Sequence, residues 1–575
     1  MGSIDVSKPY SVPEEARKVL DEGIFQNPKI ARLLPDGVSD FASKITFTGN
    51  NVPSIPINWR FAESAASLKA LEACIVAELV KRKYGVELSG AKINTDHASL
   101  FFMSTLIWQF KDADGPTSIF DSAKTVHKFI PNYDLHRQQG SLHRSAATNI
   151  YRTKDGRYFH LHGSMNPDPT LDSVNLPHDR DASNWDEAIE PFVEKLSQID
   201  SAEMQKLASD EYKQAGVICE TVESFKQTEH GKANAHVALF EVHDVPNANQ
   251  KPCWWPETSQ TSAQRPLAGL KVVDLTRVIA APAVTRGLAE LGASVMRVTS
   301  PNICDYSALH IDLNWGKWNC SIDLKSEEGK KQLSDLIKDA DVVVQGYRPD
   351  VLDKYGFSQQ GIIDMVKDRP RGIISARENC YGWNGPWYYR SGWQQISDAC
   401  IGISESFGRA MGLQNGEAVT PVFPNSDYMT GTAGVCGVLT ALMRRAEKGG
   451  SYKADLSLNY YNQWLAESCG EYPTDVWEDV WQRNGRRVFR STDNMVQLIP
   501  AYIKMIKDNS DKIVFNPSFF EERESKAIEN CPPIRAVKPI IDFDGQVKLG
   551  YNVGTRGNGR DKPHWPSDLM VEVVS

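Results

Sequence analysis

From Leu267 onward the chain alternates short apolar runs with amphipathic ones, and that alternation leaves few folds open. Lys271-Val272-Val273-Asp274-Leu275 reads as a short buried strand. Ala283 to Leu291 reads as a helix stopped by Gly292, and Ser294-Val295-Met296-Arg297-Val298 as a second strand. A helix over Lys330 to Lys338 follows, then strands at Asp341 to Gln345 and Gly372 to Ala376, with Ala454 to Leu458 continuing the series. Strand, helix, strand in this order predicts right-handed crossovers and an α/β fold built on a doubly wound parallel sheet. Ligands of such sheets sit beyond the carboxyl ends of the strands. No Gly-x-Gly-x-x-Gly follows the first strand, which argues against a nicotinamide or flavin dinucleotide.

Within this region Val422-Phe423-Pro424-Asn425-Ser426-Asp427-Tyr428 is a polar turn that opens onto a helix of small and aliphatic residues reaching Arg445. Gly431, Ala433, Gly434 and Gly437 would let another backbone or a ligand come close. Ser426 or Asp427 could cap the helix, whose N-terminal dipole favours an anion. On spacing alone Asp427 is either a cap or a reactive carboxylate.

The N-terminal part is helical and less explicit. Arg60 to Tyr84 carries apolar residues at helical spacing, ends in Lys81-Arg82-Lys83 and stops at Gly85. Asn149 to Leu161 predicts a hairpin turning at Asp155-Gly156. His160 and His162 share one face of its second strand, but no third ligand sits at a usual metal spacing, so no metal is expected. The Pro-, Gln- and Ser-rich stretch from 247 to 266 reads as a linker. This divides the chain into 1–246, the linker 247–266, a core domain at 267–470, and a Trp- and Arg-rich extension over 471–575 that would pack on the core.

The net charge of -9, without a basic stretch interleaved with aromatics, sets nucleic acid aside as a partner. No run of 18 apolar residues predicts a membrane span. Ten scattered cysteines without a Cys-x-x-Cys fit buried thiols in a cytoplasmic protein, with peroxisome and mitochondrion also compatible.

Residues 265–460 resemble the N-terminal half of the family III CoA-transferases, which include formyl-CoA and carnitine-CoA transferases and 2-methylacyl-CoA racemases. The resemblance is carried in order by Pro266 to Arg277, Leu291-Gly292-Ala293, Asp323-Leu324-Lys325, Ala340 to Val344, Arg348-Pro349, Tyr355-Gly356 and Ser426-Asp427-Tyr428. Residues 58–90 look like a second copy of the helix after the active-site acid. Counting back from Gly85 and Gly449 sets Glu63 opposite Asp427. Tyr151 to Leu161 and Gln214 to Val217 resemble pieces of the family's smaller α+β domain. The chain is therefore expected to hold a truncated copy and then a Rossmann-like one, the alternative being that 1–250 is only a helical extension. The family's interlocked homodimer would be kept as a dimer or folded into one chain as a pseudo-dimer.

The resemblance implies that Asp427 attacks an acyl-CoA thioester and passes CoA to a carboxylic acid through an anhydride and an aspartyl thioester. It implies Arg277, Lys317, Arg348, Lys354 and Arg390 as contacts for the phosphates of coenzyme A. Three departures stand out. Ser426 replaces the usual Gly before the acid. Asn314-Trp315-Gly316-Lys317-Trp318-Asn319 has tryptophans where relatives carry basic residues, predicting a less cationic, more aromatic nucleotide pocket. Trp393 stands at the place of the racemase histidine and cannot serve as its base. Two readings remain beside CoA transfer: an enzyme using Asp427 as a general acid or base without CoA, and a non-catalytic binding protein.

Overall fold

The computed structural model describes residues 9–138 and 140–575. Its first long element is helix α1 (Phe61–Tyr84), ended by Gly85 in the left-handed region at φ +68°. A three-stranded antiparallel sheet follows from β1 (Asn149–Arg152), β2 (Tyr158–His162) and β3 (Ala215–Ile218), with β2 in the middle. The expected hairpin is β1–β2, and Gly156 takes φ +79° in its turn.

The core is a seven-stranded sheet. Its members in chain order are β4 (Glu241–Val245), β5 (Lys271–Leu275), β6 (Ser294–Thr299), β7 (Lys317–Ser321), β8 (Val342–Gln345), β9 (Ile374–Asn379) and β10 (Ser451–Ser457). The spatial order is β7-β6-β5-β8-β9-β10-β4. Every pairing is parallel except the last, in which β4 runs antiparallel to β10. The order reverses at β5, the switch point where such sheets open a crevice. The edge strand β4 precedes the boundary expected at 246, so the sheet takes one strand from the N-terminal segment. No described helix is long and apolar enough to cross a membrane, and all ten cysteines are unpaired.

Helix α2 (Ala280–Glu290) follows β5, and helix α3 (Asn425–Lys448) precedes β10. Both are almost wholly buried, and they pack together with α1 in the main core cluster. The small residues of α3 serve that packing. A Cβ added at Gly434 would lie 2.5 Å from Val284 Cγ2, and one at Gly431 would lie 2.5 Å from Ala283 Cβ. Small side chains here admit a neighbouring helix rather than a ligand. Both α1 and α3 contain 24 residues. Glu63 and Asp427 are each the third residue of their helix.

Two sequence expectations are corrected at the β7 edge. Trp315 and Trp318 are only 2% and 1% exposed and do not face a cleft. The C-terminal extension covers them. Trp318 Nε1 donates to Val571 O at 2.9 Å and its ring meets Trp565, while Trp315 lies against Tyr551. Buried Arg556 pairs with Asp561 at 3.1 Å, and Asp561 accepts from Asn319 N at 2.8 Å, fastening the tail to β7.

The second correction concerns Lys317, which is fully buried and spent on the core. Its ammonium lies 3.0 Å from Asp274 Oδ2 and donates to Pro282 O at 2.9 Å. Burial lowers its pKa to about 8 although Asp274 opposes the shift. Removing one partner of such a pair strands the other charge. Lys317→Met is expected to cost about 3–5 kcal/mol of stability, read as a fall in melting temperature or urea midpoint.

Candidate active site

Helix α3 begins at Asn425, so Ser426 and Asp427 lie in its first turn rather than at the cap. The cap position is Pro424, without a side-chain cap. The capping role is therefore excluded by the helix boundary. Ser426 Oγ donates instead to Asp398 Oδ1 at 3.2 Å.

Asp427 is 6% exposed, and among the described residues none donates a hydrogen bond to its carboxyl. It faces a cleft of about 430 Å³ at the C-terminal ends of β5, β8 and β9. Arg277, Arg348 and Arg390 line the same cleft. Arg277 follows β5 and donates to Cys304 O at 2.8 Å, and Arg348 follows β8 and donates to Lys213 O at 2.9 Å. Arg390 is ion-paired with Asp210 at 3.0 Å and lies 5.1 Å from the Trp387 ring centroid. Its Nη1 has no hydrogen-bond partner among the described residues. A guanidinium offers five donors, so each of these three retains capacity for an anion. Lys317 and Lys354 do not line the cleft. Lys354 is exposed beside its neighbour Tyr355, 5.0 Å from that ring's centroid.

A second carboxyl, not singled out from the sequence, opens into the cleft: Glu378, at the end of β9. It is 9% exposed and accepts no hydrogen bond from a described residue. Burial alone pushes its pKa up to about 8. Asp427 is raised well above the usual carboxylate range by burial first, then by the negative charges of Glu378 and Asp398. Asp398 itself is pushed up to about 7 by burial, although Asn462, Gln394 and Ser426 donate to it. Burial and like charge together favour the protonated form of Asp427.

The N-terminal part of the chain supplies the facing wall. Ser164 and Met165, just beyond β2, line the cleft together with Trp393. Trp393 Nε1 donates to Ser164 Oγ at 3.0 Å, and its ring stacks on His162 at 5.4 Å. His162 Nδ1 accepts from Ser164 N at 2.9 Å, which leaves Nε2 to donate to Gln395 Oε1 at 2.8 Å. Burial, then the neighbouring His160, lowers the His162 pKa to about 3. The imidazole is a neutral structural group. His160 is likewise neutral and fully buried, with Nδ1 donating to Leu161 O at 2.9 Å.

Glu63, the residue matching Asp427 in α1, is tied differently. It is fully buried and accepts from the hydroxyls of Tyr10 and Tyr472, with Arg60 Nε at 3.9 Å.

Residues 267–496 match the model of CoA-transferase family III. "Acetyl-coenzyme A transferase nodX" of Hypoxylon pulicicidum is 48% identical over 99% of this chain and 96% of its own length. An "Acyl-CoA transferase" of Gibberella moniliformis is 30% identical over 87% of both chains. The crystal structure of a CAIB/BAIF family protein from Brucella suis is 27% identical over 35% of this chain and 55% of its own, with a TM-score of 0.31. With close relatives matched almost end to end, this chain belongs to CoA-transferase family III and is an enzyme.

Proposed function

We propose that the protein moves CoA from an acyl-CoA donor to a carboxylic acid with Asp427 as the covalent acceptor. One observation carries this reading: a buried carboxyl without a hydrogen-bond donor, in the first turn of a long helix, opens into a cleft that also holds three arginines. The arginines suit the phosphates of CoA, since guanidinium groups bind phosphate with two parallel hydrogen bonds. The relatives' printed names, acetyl-coenzyme A and acyl-CoA transferase, agree with such a donor.

The carboxylate of Asp427 attacks the thioester carbonyl and the C–S bond breaks, giving a mixed anhydride and CoA thiolate. The thiolate then attacks the Asp427 carbonyl carbon and expels the donor's carboxylate, leaving an aspartyl-CoA thioester. The acceptor's carboxylate reverses both steps and departs as the new acyl-CoA. No net proton is consumed, but Asp427 must be ionised for the first attack. The helix N-terminus favours that anion, while burial and the negative charges of Glu378 and Asp398 oppose it. Racemisation requires a second base, and Trp393 has none to offer.

The same reading makes Glu63 the relic of a truncated copy whose small sheet walls the cleft in cis. Asp427→Asn should lower turnover at least about 10³-fold, whereas Glu63→Gln should leave it within a few-fold once folding is matched. Acyl transfer measured by chromatography of CoA esters decides this, and an unchanged Asp427→Asn enzyme would sink the nucleophile assignment.

The pH dependence follows from the sign of the shift. Glu378 titrates higher in the fold than its ordinary 4.5, so the fold favours its protonated form and loses stability as pH climbs towards about 8. Glu378→Gln should therefore be at least about 1 kcal/mol more stable than the native protein at about pH 9 and indistinguishable at about pH 4 and below. It should also move the acidic limb of the kcat/KM profile to lower pH, because Asp427 loses a like-charged neighbour. An unmoved limb would show that the two carboxyls titrate independently.

A further inference from the structure

A second recess, of about 200 Å³, shares Asp427, Trp393, Ser164, Met165 and Val278 with the cleft but none of its three arginines. Its added walls include Ile279, Leu309, Met495 and Val496. The site around Asp427 thus has two compartments: a cleft with cations, and a smaller recess without them whose surface is mostly apolar, although Gln138, Gln394, Gln395 and Asn494 also line it. Among the described residues lining the recess there is no lysine or arginine.

We propose that this recess seats the body of the carboxylic acid exchanged at Asp427, and that it selects monocarboxylic acids with apolar bodies over dicarboxylic acids. This rests on the reading of Asp427 as the CoA acceptor. Three features of the recess support it.

Its polar side chains are largely committed to one another. Tyr306 Oη donates to Gln138 Oε1 at 2.7 Å, Asn494 Nδ2 to Ser145 O at 3.2 Å, and Gly163 N to Thr148 Oγ1 at 3.0 Å. Trp393, Ser164, His162 and Gln395 form the run of hydrogen bonds already described.

The one titratable base on the wall, His162, is held neutral and offers no positive charge to a second carboxylate. A remote carboxylate would be taken from water without a counter-charge, which is far more costly than burying a methyl or phenyl group. The first carboxylate does not meet this obstacle. It stays at Asp427, where the recess joins the cleft lined by Arg277, Arg348 and Arg390.

Size sets the third limit. A dry cavity of about 150 Å³ holds benzene, so this recess admits an acid of roughly eight or nine non-hydrogen atoms, the size of hexanoate or benzoate.

Isothermal titration calorimetry of the full chain with hexanoate, benzoate and succinate tests this without requiring turnover. Hexanoate and benzoate should bind, and succinate should bind on the order of 100-fold more weakly. Leu309→Trp, shown to be folded by its melting profile, should lose hexanoate binding by filling the recess. Leu309→Lys should bring succinate level with hexanoate by supplying the missing cation. Native protein that binds succinate as tightly as hexanoate, or binds neither monocarboxylic acid, overturns the proposal, as does undiminished hexanoate binding by folded Leu309→Trp. Because binding is read directly, an Asp427→Asn enzyme that kept its turnover would contradict the nucleophile alone and leave the acid preference standing.

Discussion

The seating of helix α3 against α1 and α2 is the constraint on which the site depends. Its face is made of glycines whose Cβ positions are already occupied by Ala283 and Val284, so the helix cannot slide or rotate without a clash. That fixes the first turn at the carboxyl ends of the parallel strands, where β5 and β8 release the loops bearing Arg277 and Arg348. Packing thus places one largely buried carboxyl at the cleft without a hydrogen-bond donor. The cost of that desolvation appears as the raised pKa values of Asp427 and Glu378.

The parallel sheet was legible because its strands are apolar on both faces and punctuated by glycine and charged helices. Lys271–Leu275 is found where it was expected, and Ser294–Thr299 is one residue longer than expected. Strand β7 escaped because Lys317, Trp318 and Asn319 break the aliphatic pattern. Their burial depends on a tail more than two hundred residues away in sequence. Lys317 and the two tryptophans were misjudged for the same reason: a sequence window does not show which face a distant segment will cover.

Of the residues that the turn, the small-residue helix and the family resemblance singled out, Asp427, Arg277, Arg348 and Arg390 line one cleft. Glu378 was not among them. It is one polar residue at a strand end, and only its apposition to Asp427 in space gives it chemical meaning. The facing wall of Ser164, Met165 and Trp393 likewise joins segments with no local relation. The contrast between Glu63 and Asp427 is equally a matter of surroundings. Both are the third residue of a 24-residue helix, but Tyr10, Tyr472 and Arg60 close around the first while the second faces open space.

Trapping the covalent intermediate tests the nucleophilic role of Asp427 most directly. The enzyme would be incubated with an acyl-CoA and hydroxylamine, digested, and its peptides mapped by mass spectrometry. Conversion of Asp427, and not Glu63 or Glu378, to a hydroxamate is the expected result. An unmodified Asp427 in protein that turns over the same acyl-CoA would contradict it.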